Sequence, residues 1–129
     1  MSTPNEVRDD RQYTKEHEWA KTEGTELLVG ISAFAVDQLG DITLVALDVK
    51  PGDRVEVGQV FGTIESVKTL SDLFAPCTGR VTRVNEQLDG SPELVNEDPW
   101  DKGWMIAIEP EGEIQLLDPT AYRVLVAEA

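Results

Sequence analysis

The stretch GTIESVKTLSDLFAPCTGRV, residues 62–81, sets one lysine, Lys68, in a short polar break between two apolar runs. Val60, Phe61 and Ile64 precede the break, and Leu73, Phe74, Val81 and Val84 follow it. Apolar runs bounded by polar turn residues read as strands, which makes the stretch a hairpin with Lys68 at its tip. No other Lys or Arg lies between Arg54 and Arg80, so the cation stands alone.

Working outward, both flanks use the same grammar. In KPGDRVEVGQVFGTIES, residues 50–66, Pro51-Gly52-Asp53 and Gly58-Gln59 are turns, and Val55 and Val57 alternate between them. APCTGRVTRV, residues 75–84, echoes that pattern loosely, with Gly79, Val81 and Val84 standing for Gly52, Val55 and Val57. Such an echo predicts two similar half-sheets joined at the lysine turn. ELLVGIS (26–32) and DITLVALDV (41–49) read as strands. Between them Ser32 caps a short helix, AFAVDQL, whose apolar face would use Phe34, Ala35 and Leu39, and Gly40 ends it.

Towards the C-terminus, Ser91 and Pro92 predict a helix start that Pro99 cuts short. GWMIAIEP (103–110) reads as a strand. Asp118 and Pro119 predict a last helix anchored by Tyr122, Val124, Leu125 and Val126. Short strands, frequent turns and a few short helices predict a mainly β domain, a β-sandwich or flattened barrel with a helical cap. The 129 residues suit one domain over 1–129, with the polar residues 1–12 flexible.

Composition narrows the function classes. Eleven basic against 25 acidic residues give a net charge of −14, which repels phosphate backbones and anionic membranes; protein partners with basic faces suit it. A single cysteine, Cys77, excludes an internal disulfide framework and a cysteine-based zinc site, and no metal site is expected. Cys77 itself reads as a small half-buried hydrophobe. His17 is the one histidine, so a Ser-His-Asp triad would depend on it alone. The N-terminal stretch has no apolar signal core and is too acidic for a transit peptide, so a cytoplasmic location is expected, or a mitochondrial matrix if a leader has been removed. Glu65 and Asp72 near Lys68 favour its ammonium form, which suits an exposed lysine awaiting modification better than a buried Schiff-base nucleophile.

At this point the residues resemble a known family. The hairpin GTIESVKTLSDLFAPCTGRV is similar to the lipoyl-lysine hairpin of the biotinyl/lipoyl carrier fold, most of all in the H-protein family of the glycine cleavage system. YTKEHEWA, VGISAFAVDQLGDITLVAL, ELVNEDPWDKGWMIAIEP and LLDPTAYRVL occur in the same order as in that family, so the resemblance spans about residues 13–126. It implies a flattened barrel or sandwich of the hammerhead type and a carrier that catalyses nothing itself. Lys68 would hold lipoate in amide linkage, and Glu65 and Gly79 match positions that lipoate ligases or lipoyl/octanoyl transferases read. Glu18, Asp72 and His17 would line the cleft that shelters the loaded arm.

The partners implied are a pyridoxal-phosphate-dependent glycine decarboxylase, a tetrahydrofolate-dependent aminomethyltransferase and a flavin-containing dihydrolipoamide dehydrogenase. The first loads an aminomethyl group, the second takes it with release of ammonia, and the third restores the disulfide by thiol–disulfide exchange. A biotin carrier would place methionines beside the lysine, where Val67 and Thr69 stand here. A lipoyl domain of a 2-oxoacid dehydrogenase would head a longer chain. The remaining alternative is an H-like free-standing lipoate carrier serving another pathway, such as sulfur-compound oxidation.

Overall fold

The apolar runs on either side of Lys68 form two neighbouring strands of a small sheet. The computed structural model describes residues 3–129. In chain order its elements are β1 (Gln12–Tyr13), β2 (Glu18–Glu23), β3 (Glu26–Ile31), α1 (Ala33–Leu39), β4 (Ile42–Leu47) and β5 (Arg54–Val55). There follow β6 (Val60–Ser66), β7 (Leu70–Phe74), β8 (Gly79–Val84), α2 (Gln87–Gly90), α3 (Leu94–Glu97), β9 (Ile106–Pro110) and α4 (Pro119–Glu128). They build two antiparallel sheets, one of six strands ordered β1-β2-β3-β9-β8-β5 and one of three ordered β4-β6-β7. The sheets do not close into a barrel, so the sandwich form of the expected mainly β fold is the one adopted.

Alternation along the strands explains the core. Val29, Ile31, Val81, Ile106 and Ile108 from the large sheet meet Val45, Ile64 and Leu73 from the small one, all buried in one cluster. A second cluster gathers Tyr13, Trp19, Trp100 and Tyr122, and here α4 docks. Tyr13 and Tyr122 stack with ring centroids 4.1 Å apart, an arrangement that adds to simple area burial. The chain before β1 is tied to this cluster. Arg8 O accepts from Tyr13 Oη at 2.8 Å, and Arg11 Nη1 donates to Trp100 O at 2.8 Å. Of the segment expected to be flexible, residues 1–2 lie outside the described residues.

Two helices start as their capping residues dictate. Ser32 Oγ accepts from Ala35 N–H at α1, with Gly40 at φ 79° closing the other end, and Asp118 Oδ1 accepts from Ala121 N–H at 2.7 Å to begin α4.

Three expectations are corrected. The lysine hairpin does not join two half-sheets. Both its strands lie in the three-stranded sheet, and the echoing segments instead pair with each other, Val55 opposite Gly79. The expected apolar face of α1 stands, with Leu39 buried, Ala35 against the main cluster and Phe34 against the second, and Ala33 joins it as a buried residue. The helix after Ser91 and Pro92 begins only at Leu94, since Ser91 closes α2, which no sequence signal announced. In α4 Val124 is exposed, because Tyr122 and Val126, four residues apart, already define the buried stripe.

Candidate functional site: the lysine hairpin and its side cleft

Lys68 sits on the turn Ser66-Val67-Lys68-Thr69 and is exposed. Ser66 organises that turn. Its backbone N–H donates to Thr69 O at 2.9 Å, and its Oγ accepts from the N–H groups of Lys68 (3.1 Å) and Thr69 (3.2 Å). The turn is also held from outside, by Val67 N–H donating to Asp41 O at 3.0 Å.

That corner after α1 is itself fixed by Asn96 of α3. The carboxamide accepts from Ile42 N–H at 2.9 Å and donates to Gly40 O at 3.0 Å. Gly40 has a second reason to lack a side chain: a Cβ there would stand 3.3 Å from Lys68 Cε and 3.6 Å from Cδ. The lysine stem therefore lies over the end of α1. Among the described residues Lys68 enters no ion pair, so its ammonium is free for chemistry.

Glu65 is exposed on β6, opposite Leu44 of β4 and Leu70 of β7, and shares the hairpin with Lys68. Gly79 is in the other sheet and buried, paired with Pro110 and Val55. A Cβ at Gly79 would run into Glu109 O and lie 2.7 Å from Ile108 Cγ2, so packing alone demands glycine there. The structure does not bring Gly79 together with Glu65.

It does bring together Glu18, Asp72 and His17. All three line a cavity of about 160 Å³, with Glu16, Gln38 of α1 and Ser71 among its other walls. The three differ in exposure. Glu18 is 2% exposed, Asp72 is exposed on the edge strand β7 beside Thr63 of β6, and His17 is half-buried. Glu18 Oε1 accepts from Thr14 Oγ1 at 2.5 Å and Oε2 from Phe74 N–H at 3.2 Å. Burial pushes the Glu18 carboxyl up to about 7, against the opposing pull of the hydrogen bonds from Thr14 and Phe74. Glu18 also borders a larger cavity of about 830 Å³, shared with Tyr13, Phe74, Pro76 and Leu116.

His17 adopts a positive φ of 70°, unusual for a residue with a side chain. Its carbonyl accepts from Ser32 N–H at 2.9 Å, and its Nδ1 lies 2.8 Å from Tyr122 Oη. Burial lowers its pKa below the usual histidine range, with Glu16 pulling the other way. Trp19 of β2 is simple packing: its indole covers Gly30 and donates to Pro99 O at 2.9 Å. Cys77 belongs to the core, 4% exposed, with its thiol pushed up to about 11 by burial. Thr14 and Asn96 carry no signal in the sequence, and Tyr122 reads there only as an apolar anchor of the last helix. Each works through a partner 4 to 105 residues away, and none carries a local motif.

Comparison with known proteins fits this arrangement. A glycine cleavage system H protein of Bacillus licheniformis is 52% identical over 131 residues, covering 99% of this chain and 99% of the relative. One from Anaeromyxobacter is 48% identical over 127 residues, covering 95% of this chain and 98% of the relative. The crystal structure of a glycine cleavage system H protein from Mycobacterium marinum superposes with a TM-score of 0.83 at 35% identity, covering 90% of this chain and 95% of that one. The family model described as glycine cleavage H-protein matches residues 11–128. With the family model matching residues 11–128 and relatives at about 50% identity over nearly the whole length, the chain belongs to the glycine cleavage H-protein family.

Proposed function

We propose that the chain is the lipoyl carrier of the glycine cleavage system, holding lipoate in amide linkage on Lys68. The observation that carries this reading is the lysine itself: an exposed side chain, without an ion pair among the described residues, on a turn pinned by Ser66 and Asp41. An amine offered for acylation must reach an enzyme's active site, and a rigid turn presents it at low entropic cost. The names of the relatives favour glycine cleavage over a sulfur-oxidation carrier.

The residues fit the cofactor. Amide formation removes the lysine charge and breaks no ion pair in doing so. Lipoate, when attached to Lys68, would supply a redox-active dithiolane able to carry a one-carbon amine. The chain's own part is to present, shelter and release. Ser66 and Asn96 keep the turn in place, Lys68 gives the arm its root, and Glu18 and Asp72 offer carboxylates to a cationic guest in the side cleft. His17 closes one wall of that cleft, and its apolar walls Ile31, Leu39 and Ile64 limit water. On this reading the chain is a non-catalytic carrier acting in the cytoplasm. Its partners are a lipoyl-attaching enzyme, a pyridoxal-phosphate-dependent decarboxylase, a tetrahydrofolate-dependent aminomethyltransferase and a flavin-dependent dehydrogenase. The net charge of −14 supports docking on basic faces.

Intact-mass measurement of protein from its native host tests the assignment. One lipoyl group on Lys68 is the expected result, with Lys68→Arg unmodified, unable to carry and folded to within about 0.5 kcal/mol of the parent. Lipoate on another lysine, or none in a host that lipoylates its other carriers, overturns it.

A further inference from the structure

Three side chains distant in sequence form one file of hydrogen bonds beside the cleft. Ala35 N–H donates to Ser32 Oγ at 3.3 Å, Ser32 Oγ lies 2.6 Å from Tyr122 Oη, and Tyr122 Oη lies 2.8 Å from His17 Nδ1. Ser32 and Tyr122 are both 0% exposed, so water is no partner for either hydroxyl.

Counting protons sets the direction of the file. Each hydroxyl has one proton to give. Ser32 Oγ already accepts from Ala35, and Tyr122 Oη is the acceptor within reach of its proton. If Tyr122 donated to Ser32 instead, the serine proton would be buried without an acceptor, an expensive state. Ser32 therefore donates to Tyr122, and the phenol proton goes to His17 Nδ1. A ring nitrogen that accepts carries no proton, so His17 is neutral with its proton on Nε2.

We propose that Tyr122 is a positioning residue for the cleft: it locks His17 as the neutral Nε2–H tautomer and so keeps an imidazolium out of the cavity shared with Glu18 and Asp72. The charged and titratable groups facing His17 are Glu16 and Glu18 on its own segment, Asp72 from β7 and Tyr122 from α4, while α1 contributes the neutral Gln38. An imidazolium among them would occupy the carboxylates and repel a cationic guest. To form, it must turn Tyr122 round and strand the Ser32 proton, a barrier that burial of the ring reinforces. The C-terminal helix thereby sets the charge of a cleft that its own backbone does not line. The importance of this for the arm rests on the lipoyl-carrier reading; the tautomer does not.

The experiment is ¹⁵N NMR of the unmodified full-length protein, so its outcome is independent of whether Lys68 is lipoylated. His17 is the one histidine, and its ring signals need no assignment. In the parent at pH 7, Nδ1 is expected at the shift of an unprotonated nitrogen and Nε2 at that of a protonated one. Tyr122→Phe keeps the ring that stacks on Tyr13 but removes the donor. It should give mixed tautomers and raise the His17 pKa by about half to one pH unit. Ser32→Ala, whose side chain does not reach His17, leaves His17 Nδ1 as the one acceptor for the phenol proton, so the Nε2–H tautomer should persist there. A parent protein with Nδ1 protonated overturns the proposal, as does an unchanged tautomer and titration in Tyr122→Phe.

Discussion

Phe74 N–H donates to Glu18 Oε2 at 3.2 Å, so a buried carboxylate at the start of β2 hydrogen-bonds the edge strand of the other sheet. That bond lies on the return strand of the lysine hairpin, and the same carboxylate borders both cavities. Glu18 is thus a structural joint and a cleft wall at once.

Its titration has a signed consequence for stability. The folded-state value of about 7 lies above the ordinary 4.5, so the fold binds the Glu18 proton more tightly than the unfolded chain. The stabilisation this brings is full below pH 4.5 and is lost as pH rises from there through 7. Glu18→Gln keeps the shape and removes the titration. Relative to the parent it should gain stability across that window, by at most about 3 kcal/mol. Urea denaturation of both proteins at pH 5 and pH 8 checks this; a constant difference between them refutes it.

Glu65 and Gly79, matched together by sequence, should part company in experiment. Glu65 is exposed, so Glu65→Ala should slow lipoylation at a stability change within about 0.5 kcal/mol. Gly79→Ala drives a methyl into Glu109 O and should cost about 1–3 kcal/mol from overpacking. Any lipoylation defect in that variant should follow its folded fraction. Denaturation curves run beside a ligase time course separate the two. Normal lipoylation of Glu65→Ala removes Glu65 from recognition, and an undiminished midpoint for Gly79→Ala refutes the packing argument.

What the sequence shows and what it hides divides along contact range. The hairpin around Lys68 was legible because Ile64, Leu73 and their neighbours alternate locally. So were α1 and α4, because Ser32 and Asp118 cap within three residues of themselves. The pairing of β3 with β9, Leu27 opposite Ile108, was not, since nothing local names a partner that far along. For the same reason the local pattern predicts a join between sheets where the lysine hairpin lies within one of them. At the site, Lys68 stood out by isolation. The gathering of Glu18, Asp72 and His17 came from resemblance, and Tyr122 read as a core aromatic because its polar partner lies 105 residues away.

Cys77 should behave as core. With the thiol pushed up to about 11 by burial, the thiolate is about one part in a thousand at pH 8. The folded protein should resist a thiol reagent such as dithionitrobenzoate and react promptly once unfolded in guanidinium. Rapid labelling of the native protein would show a reactive thiol and refute the buried reading.

The last expectation concerns the cleft carboxylates. We infer that Glu18 and Asp72 pair the cationic aminomethyl cargo, because both line the same 160 Å³ cavity beside the lysine hairpin. A charge-assisted hydrogen bond in a partly desolvated site is worth about 1.5–3 kcal/mol, which is roughly a tenfold to hundredfold change in the rate of cargo loss. Replacing both, as Glu18→Gln with Asp72→Asn, should speed ammonia release from the isolated loaded protein by that factor and leave lipoylation normal. Glu18→Gln does not weaken the fold at pH 8 by the titration argument above, so faster release there is not unfolding. A pH series adds a second check. As pH falls through the Glu18 value of about 7, the parent loses that carboxylate's charge, and the gap between parent and double variant should narrow. The measurement is a time course of ammonia release without the aminomethyltransferase, at pH 6 and pH 8. Equal rates at both pH values would mean that the cargo is not held by these carboxylates.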